Sequence, residues 1–335
     1  GSPKIDYVVA LSPRFFEDLL KITGSVNLAD AKKIVNAENF REILTGCSDA
    51  FGINSSQFVR IMSEFFPKFL QKLAELERTS SFKALDLINK NLEEKNVLIY
   101  AAEPSPQDYL KKAGWAGEVK KEKGNYLAVV DSVINSGLKT SFKKSIKHHS
   151  EIQPDGRIVN TLTLSYGYQS KLDSEPELAN FVRIFVPEGS ELLEAAIPEQ
   201  EVYFPPLDYY IAGFRADNDV AEAEYNLITD VSGVQIFAES GKTVFGFWVL
   251  APAGQNKTLT LKYRLPLRIS PESDFYSFYI QKQPADYSDF ESVLAFPKNL
   301  KPTGRSAENL QVFSGLVKLS GQLDKDKYYE VRFER

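Results

Sequence analysis

Cysteine is nearly missing from this chain: Cys47 is the only one in 335 residues. One thiol makes neither a disulfide framework nor a cysteine-based zinc site, and by itself it does not fix the compartment. Histidine is almost as scarce, with only His148 and His149. Neighbours on a strand point to opposite faces, so the two cannot readily chelate one metal, and little is left for a Ser-His-Asp triad. A solvated pair is the ordinary expectation. There is one methionine, Met62, and the chain starts at Gly1, where Gly1-Ser2 reads as the residue of tag cleavage. No run of about 18 apolar residues is found, so nothing in the sequence reads as a membrane-spanning helix. A surplus of one charge is lacking too: 40 basic against 45 acidic residues leave −5, no field to gather nucleic acid or anionic lipid.

What is present fits a globular protein of two domains. The apolar share of 43 % and charged share of 25 % are ordinary, and at roughly 100–200 residues per domain the length suggests two. Up to residue 137 the pattern alternates. Tyr7–Leu11, 97–102 and 126–130 are short apolar runs of buried-strand type. Between them lie helical stretches. Ser12-Pro13 opens one that Gly24 stops, Glu38–Leu44 is followed by Gly46, and a longer helix runs from Ser55 or Ser56 to Leu76 with Pro67 expected to kink it. Two more cover 81–93 and 107–113. This predicts an α/β layer with a partly parallel sheet.

From about Lys139 the helical period disappears. Strand candidates stand at 180–186, 191–197, 233–239, 244–250, 258–265, 275–281, 310–319 and 327–334, with Asp155-Gly156 as a tight hairpin turn. The clearest stretch is Gly241–Pro266. It reads as two strands joined by a short turn, with Leu259, Leu261, Tyr263 and Leu265 alternating with polar residues. Pro266, lacking an N–H, is expected to end the ladder. The stretches 170–179, 198–224 and 284–309 read as long loops. The expected fold is thus α/β plus all-β: an N-terminal three-layer α/β domain over 1–137, then an antiparallel β-sandwich domain over 138–335.

Few motifs carry chemistry. Gly241-Lys242-Thr243 lacks the upstream glycine of a phosphate loop, since position 236 is Ile, and it reads as a hairpin turn. Asp217, Asp219, Glu222 and Glu224 cluster, but helix-loop-helix calcium spacing needs Gly and Glu where Glu222 and Ile228 stand, so the cluster reads as a solvated loop. The segment 203–214 is rich in aromatic residues. Tyr203, Phe204, Tyr209 and Tyr210 are candidate ligand-binding rings for a glycan or protein partner, unless the loop packs on itself. No catalytic set and no metal-ligating set is assembled. Asn54-Ser-Ser56 and Asn256-Lys-Thr258 match the glycosylation triplet, a pattern common by chance.

Several stretches together resemble one family. Asp6–Pro13 with Leu19–Val26 is similar to a "DGVIAIDP … LLxxTGPV" pattern, and Asn36–Phe40 to a "TAEN" helix start. Asn180–Ser190 is similar to "NYxRVYVPxGS", and Val244–Pro266 and Tyr276–Pro284 to later strands. The family is domain of unknown function 4012, bacterial envelope proteins with an N-terminal membrane anchor. The first half distantly resembles the LytR-CpsA-Psr enzymes, which move glycan polymers from a polyprenyl-phosphate carrier, so that 1–137 would be an incomplete domain of that kind.

The resemblance implies an extracytoplasmic, cell-surface protein held by an N-terminal transmembrane anchor absent here. It would be a non-catalytic module binding cell-wall glycan or a surface protein, with no nucleic-acid partner, no contact with the membrane except through the anchor, and no cofactor. The alternative it implies is a glycopolymer transferase using Mg²⁺, with arginines clamping a pyrophosphate. In the corresponding region stand Arg41 and Arg60 with Asp49 between, and Arg14 upstream; these arginines otherwise read as solvated surface charges. The dense arginine signature of the enzymes and the family's upstream "NNAELRPTGGF" strand are both missing.

Overall fold

The structure is a computed structural model. It describes residues 4–47, 56–133, 141–169, 178–197, 211, 213–215, 217–218, 226–252, 254–270, 274–306 and 310–334. These fall into two compact units, residues 4–118 with 284–286, and the remainder from 119 onward. The architecture is mixed α/β, with most ordered residues in two large sheets.

The first unit runs β1 (Tyr7–Leu11), α1 (Pro13–Thr23), β2 (Val26–Leu28), β3 (Lys33–Val35), α2 (Phe40–Thr45), α3 (Ser56–Ala74), α4 (Arg78–Glu93), β4 (Val97–Ala101) and α5 (Pro104–Ala113). Pro13 starts α1, where a missing N–H costs nothing. Gly24 ends it at φ 75°, with its N–H on the Leu20 carbonyl. Ser12 holds the N-cap position, but its hydroxyl donates to Asn96 Oδ1, so it ties α1 to the start of β4 instead of capping. Four rings form the centre of the core: Phe16 meets Phe40, Phe65 and Phe69, and Phe65 meets Phe40 and Phe69, with centroids 5.1–5.7 Å apart in these pairs. Pro67 lies inside α3, which continues through it.

The sheets of this unit are short and antiparallel, β1 with β4 and β2 with β3. No parallel pair is found among its described residues, in contrast to the partly parallel layer expected. The third apolar run, 126–130, belongs to the second unit, so the division falls after Glu118 and not after 137. An apolar run says that a strand is greasy, not which sheet it joins. Nor is β1 buried as its composition suggests: Tyr7, Val8 and Val9 are each about half exposed or more.

The second unit is a sandwich of two sheets. Its strands are β5 (Asn125–Val133), β6 (Ser141–Ile152), β7 (Arg157–Gln169), β8 (Leu178–Pro187), β9 (Glu191–Ala196), β10 (Ile228–Thr229), β11 (Gln235–Glu239), β12 (Lys242–Ala251), β13 (Asn256–Arg268), β14 (Phe275–Gln281), β15 (Asp289–Ala295), β16 (Lys301–Ser306), β17 (Gln311–Phe313), β18 (Leu316–Gln322) and β19 (Lys327–Glu334). One sheet has eight strands in the order β10-β11-β12-β8-β5-β14-β19-β16. The other has seven, β17-β18-β15-β6-β7-β13-β9. Pairing is antiparallel except for β5 with β14 and β6 with β15.

Alternate residues of both sheets meet in one core. Leu127, Val182, Ile184, Phe247 and Phe278 from the eight-stranded sheet pack with Leu162, Leu164, Leu259, Leu261 and Phe290 from the seven-stranded one. Each is fully or almost fully buried, and truncating any one to Ala costs about 2–5 kcal/mol.

Three expectations change here. β12 and β13 are not partners: β12 pairs with β8 and β11, β13 with β7 and β9, so Ala251 and Asn256 stand in different sheets. Both arrangements give the same alternation, which is why the residues alone read as a hairpin. Pro266 does not end β13; a register shift between Arg264 and Arg268 accommodates it. Finally, β15 and β16 lie within a stretch that reads as loop. The Asp155-Gly156 hairpin turn is present. Gly156 has φ 86°, and a Cβ there would lie 2.1 Å from the Ile269 carbonyl oxygen, so only glycine fits.

Candidate functional site

The three arginines singled out above do not converge. Arg14 and Arg41 meet two consecutive carboxylates on α1: Arg14 Nε lies 3.3 Å from Asp18 Oδ2, and Arg41 Nε donates to Glu17 Oε1 at 3.0 Å. Asp18 is nearly buried. Although burial itself works to raise its pKa, the hydrogen bond from Lys21 and the charges of Arg14 and Lys21 outweigh it and hold the carboxyl below the ordinary carboxylate range. Arg60 stands on α3 and donates to the Asp30 carbonyl. Each guanidinium is therefore engaged within its own neighbourhood. Asp49, Tyr203, Phe204, Tyr209 and Tyr210 lie outside the described residues, as do Asp219, Glu222 and Glu224. Among the described residues no group of three or more His, Cys, Asp or Glu could hold a metal ion.

The two faces of the sandwich that point away from its core differ in kind. On the seven-stranded sheet the outward residues are short and polar. Thr163 meets Thr260 at 3.2 Å, Ser165 meets Thr258 at 3.1 Å, and Lys262 donates to Glu194 at 3.2 Å. On the eight-stranded sheet the outward residues are aromatic. Register brings Trp248 opposite Phe181, Gly246 opposite Arg183 and Val244 opposite Phe185 across β12 and β8. Across β11 and β12, Phe237 stands opposite Val244.

Gly246 is the centre of this patch. A Cβ at that position would come within 2.9 Å of Phe181 Cζ and 3.1 Å of Phe237 Cε1, so the two rings close over a strand that has no side chain there. Trp248 adds a third ring, tilted 53° to Phe181 with centroids 5.0 Å apart. Phe181, Phe237 and Trp248 are all half-buried. Beside them Arg183 donates to both oxygens of Glu239 at 3.1 and 3.2 Å, and its guanidinium carbon lies 5.7 Å from the Phe185 ring centroid. The result is a half-exposed aromatic surface with one oriented ion pair at its edge. Flat rings beside a few polar groups suit a ligand that offers both C–H faces and hydroxyls.

Further along the same face the rings are closed in. Tyr126 stacks on Tyr279 at 6.2 Å and 4° and donates to Gln281 Oε1 at 2.7 Å. Tyr279 donates to Asp326 Oδ2 at 2.5 Å. Lys242, almost wholly buried, sets its ammonium 4.1 Å above the Tyr126 ring, and burial lowers its pKa.

Between the sheets lies a polar cluster without a formal charge. Asn125 donates to the Tyr276 hydroxyl at 2.7 Å, Ser150 to Asn160 Oδ1 at 2.6 Å, and Asn160 back to Asn125 Oδ1 at 3.2 Å. His148 Nδ1 is 3.1 Å from Ser292 Oγ, and its ring stacks on Phe278 at 4.2 Å. The pair His148-His149 does point to opposite faces, but only His149 is exposed; His148 is buried. Burial pushes the His148 imidazole down to about 3 and the Tyr276 phenol up to about 12.

No protein-family model matches the chain, and no curated protein does. Among solved structures, a candidate nutrient-binding protein from Legionella pneumophila is similar at 7 % identity and a TM-score of 0.33, over 62 % of this chain and 71 % of that one. An M1 zinc metallopeptidase from Deinococcus radiodurans is similar at 11 % identity and a TM-score of 0.27, over 59 % of this chain and 43 % of that one. Likeness of this degree carries neither fold nor function from one protein to the other. Among the described residues no helix is long and apolar enough to cross a membrane.

Sequence reasoning missed the patch around Gly246. A signal was available: a glycine inside an otherwise bulky strand, Val244-Phe-Gly-Phe-Trp248, marks a place where something approaches the backbone closely.

Proposed function

We propose that this chain is a non-catalytic, glycan-binding surface module, and that the outward face of its eight-stranded sheet around Gly246 receives the glycan. The observation behind this reading is the half-exposed set of Phe181, Phe237 and Trp248 beside the Arg183–Glu239 pair, on a sandwich whose opposite face is wet and polar. Sugar rings would stack their C–H faces on Phe181 and Phe237. Ring hydroxyls would bond to Arg183 and Glu239, whose positions are fixed by each other. The motif resemblance to the domain of unknown function 4012 family supports placing the protein in a bacterial envelope, outside the cytoplasm and on an anchored chain, with cell-wall glycan as the ligand class.

The transferase reading has less support. A pyrophosphate clamp needs arginines with unspent charge aimed at one point, whereas Arg14 and Arg41 each meet a carboxylate of α1 and Arg60 meets a backbone carbonyl.

The chain holds two tryptophans, Trp115 and Trp248. In a Trp115→Phe background the fluorescence of Trp248 reports on the patch alone. Titration with soluble cell-wall glycan fragments is expected to shift that signal with saturation, and Phe237→Ala is expected to weaken the apparent affinity about tenfold. Glycan binding that Phe181→Ala and Phe237→Ala leave unchanged would remove the patch from consideration, and no binding to any envelope glycan would remove the module reading itself.

A further inference from the structure

A second cluster inside the sandwich differs from the one around His148 in holding charges. Asp131 points into the core from β5. Lys144 reaches it from β6, in the opposite sheet, and donates to Asp131 Oδ2 at 2.5 Å; the side chains are 6 % and 1 % exposed. Asn180 comes from β8, next to β5 in the eight-stranded sheet, and donates to Asp131 Oδ1 at 2.8 Å. Tyr166, opposite Lys144 on β7, donates to the same oxygen at 2.7 Å, and Phe142 packs against its ring. Asn180 is fully buried, and among the described residues its Oδ1 has no hydrogen-bond partner.

An amine, a carboxamide and a carboxyl group thus share one dry site, with the carboxyl touching both of the others. An ordinary structural ion pair gives no reason for a buried amide to leave its carbonyl unbonded, which costs the desolvation of that oxygen with nothing in return. Chemistry gives one. A lysine side chain attacks a carboxamide only when the amine is neutral, when an acid stands ready to serve the leaving nitrogen, and when water is excluded.

We propose that the sandwich forms an intramolecular isopeptide bond between Lys144 Nζ and Asn180 Cγ, with Asp131 as the proton carrier. The Lys144 ammonium passes one proton to the Asp131 carboxylate, whose Oδ2 it meets at 2.5 Å. The Nζ lone pair then attacks Asn180 Cγ, whose carbonyl oxygen is held by no donor among the described residues. Asp131 gives its proton to Nδ2 and takes the second proton from Nζ. The Cγ–Nδ2 bond breaks and ammonia leaves, which then accepts the remaining proton and departs as ammonium, restoring the carboxylate. Nothing is oxidised or reduced, and no further reactant is consumed. Tyr166 is a positioning residue that holds the carboxyl toward the other two groups. The bond would join β6 to β8, and therefore one sheet to the other, closing a long loop covalently in a chain with a single cysteine and no disulfide available for the purpose. This step does not depend on the glycan reading.

Intact-mass spectrometry of the full folded chain tests it. The expected mass lies one ammonia below that of the sequence, and tandem spectra of a digest should show a branched peptide joining the segment of Lys144 to that of Asn180. Lys144→Arg and Asp131→Ala should each return the full sequence mass. The decisive reading is made on the unaltered chain, so it stands even if those variants fold poorly. A full-length mass that persists after long incubation of folded protein would overturn the proposal. So would a deficit of one water mapping to Lys144 and Asp131, or an ammonia deficit at Asn180 with Lys144 unmodified, which is a cyclic imide of the Asn180-Phe181 bond.

Discussion

The two sheets of the sandwich share a core yet turn unlike faces outward. The seven-stranded sheet shows water Thr161, Thr163, Ser165, Thr258, Thr260 and Lys262, residues that β-strands tolerate well and that bond to one another or to solvent. The eight-stranded sheet shows Phe181, Phe237 and Trp248 around a glycine, and further along closes Tyr126, Phe185 and Val244 away from water altogether. Strand propensity alone would be served equally well by either set. What the difference teaches is that only the first face is designed to be wet. The rings of the second face are kept half-exposed at the expense of a solvation that Thr or Lys would supply, which is the reason to look for a ligand there.

The largest expected effect concerns the inner faces, which the two sheets hold in common. His148 and His149 are adjacent on β6, one turned inward and one outward. His148 titrates near 3 in the folded protein against 6.5 ordinarily, because burial penalises its charged form. The unfolded chain therefore takes up a proton below pH 6.5 that the native chain refuses until about 3. The stabilisation is complete above pH 6.5 and is lost as pH falls through that window, by up to about 1.4 kcal/mol per pH unit. Urea midpoints measured between pH 7 and pH 4 should fall steeply for the parent and for His149→Gln, and less steeply for His148→Leu. Equal slopes for both variants would show that the inward and outward positions are not as different as they are drawn.

Next in size is removal of rings from the aromatic face. Phe181→Ala or Phe237→Ala should weaken glycan binding about tenfold, whereas Thr163→Ala or Thr260→Ala on the polar face should not change it. If both faces responded alike, or neither did, the contrast between them would carry no functional meaning. Gly246→Ala sharpens the same point with a smaller change. The added methyl group would need Phe181 and Phe237 to move by a few tenths of an ångström, and since both are ring edges on half-buried side chains, a cost of about 1 kcal/mol and a binding loss of a few-fold are expected.

Much of the second unit was legible in its residues. The strand bounds at 275–281 and 327–334 coincide with β14 and β19, and Leu259, Leu261, Tyr263 and Leu265 do face inward. Alternation fixes which way a side chain points, and a buried face enforces it. It does not fix the partner. That is why β12 and β13 read as a hairpin although they belong to different sheets, and why 126–130 reads as part of the first half although it pairs with β8 and β14 from far along the chain. β15 reads as loop because Asp289-Phe-Glu-Ser-Val-Leu-Ala295 alternates only over a few residues between prolines and charges. The candidate site was less legible than the fold. Arg14, Arg41 and Arg60 are conspicuous in a list of residues, yet each spends its charge nearby. Phe181, Phe237, Gly246 and Trp248 are separated by tens of residues and become one patch only when β8, β11 and β12 lie side by side.

The smallest expected effect is also the most direct check on the polar face. Thr163 and Thr260 stand directly opposite each other on β7 and β13, with hydroxyls 3.2 Å apart. A cross-strand hydroxyl pair of this kind contributes roughly 0.2–1 kcal/mol, because water replaces either partner when one is lost. Thr163→Val and Thr260→Val keep the branched shape that suits a strand, so each should shift the unfolding free energy by less than about 0.5 kcal/mol, and the double variant should do little more. Calorimetry on the two single variants and the double variant measures this coupling. A coupling of several kcal/mol would mean that the hydroxyls are shielded from water, that this face too is covered by something, and that the sandwich has two hidden faces where the structure shows one wet and one aromatic.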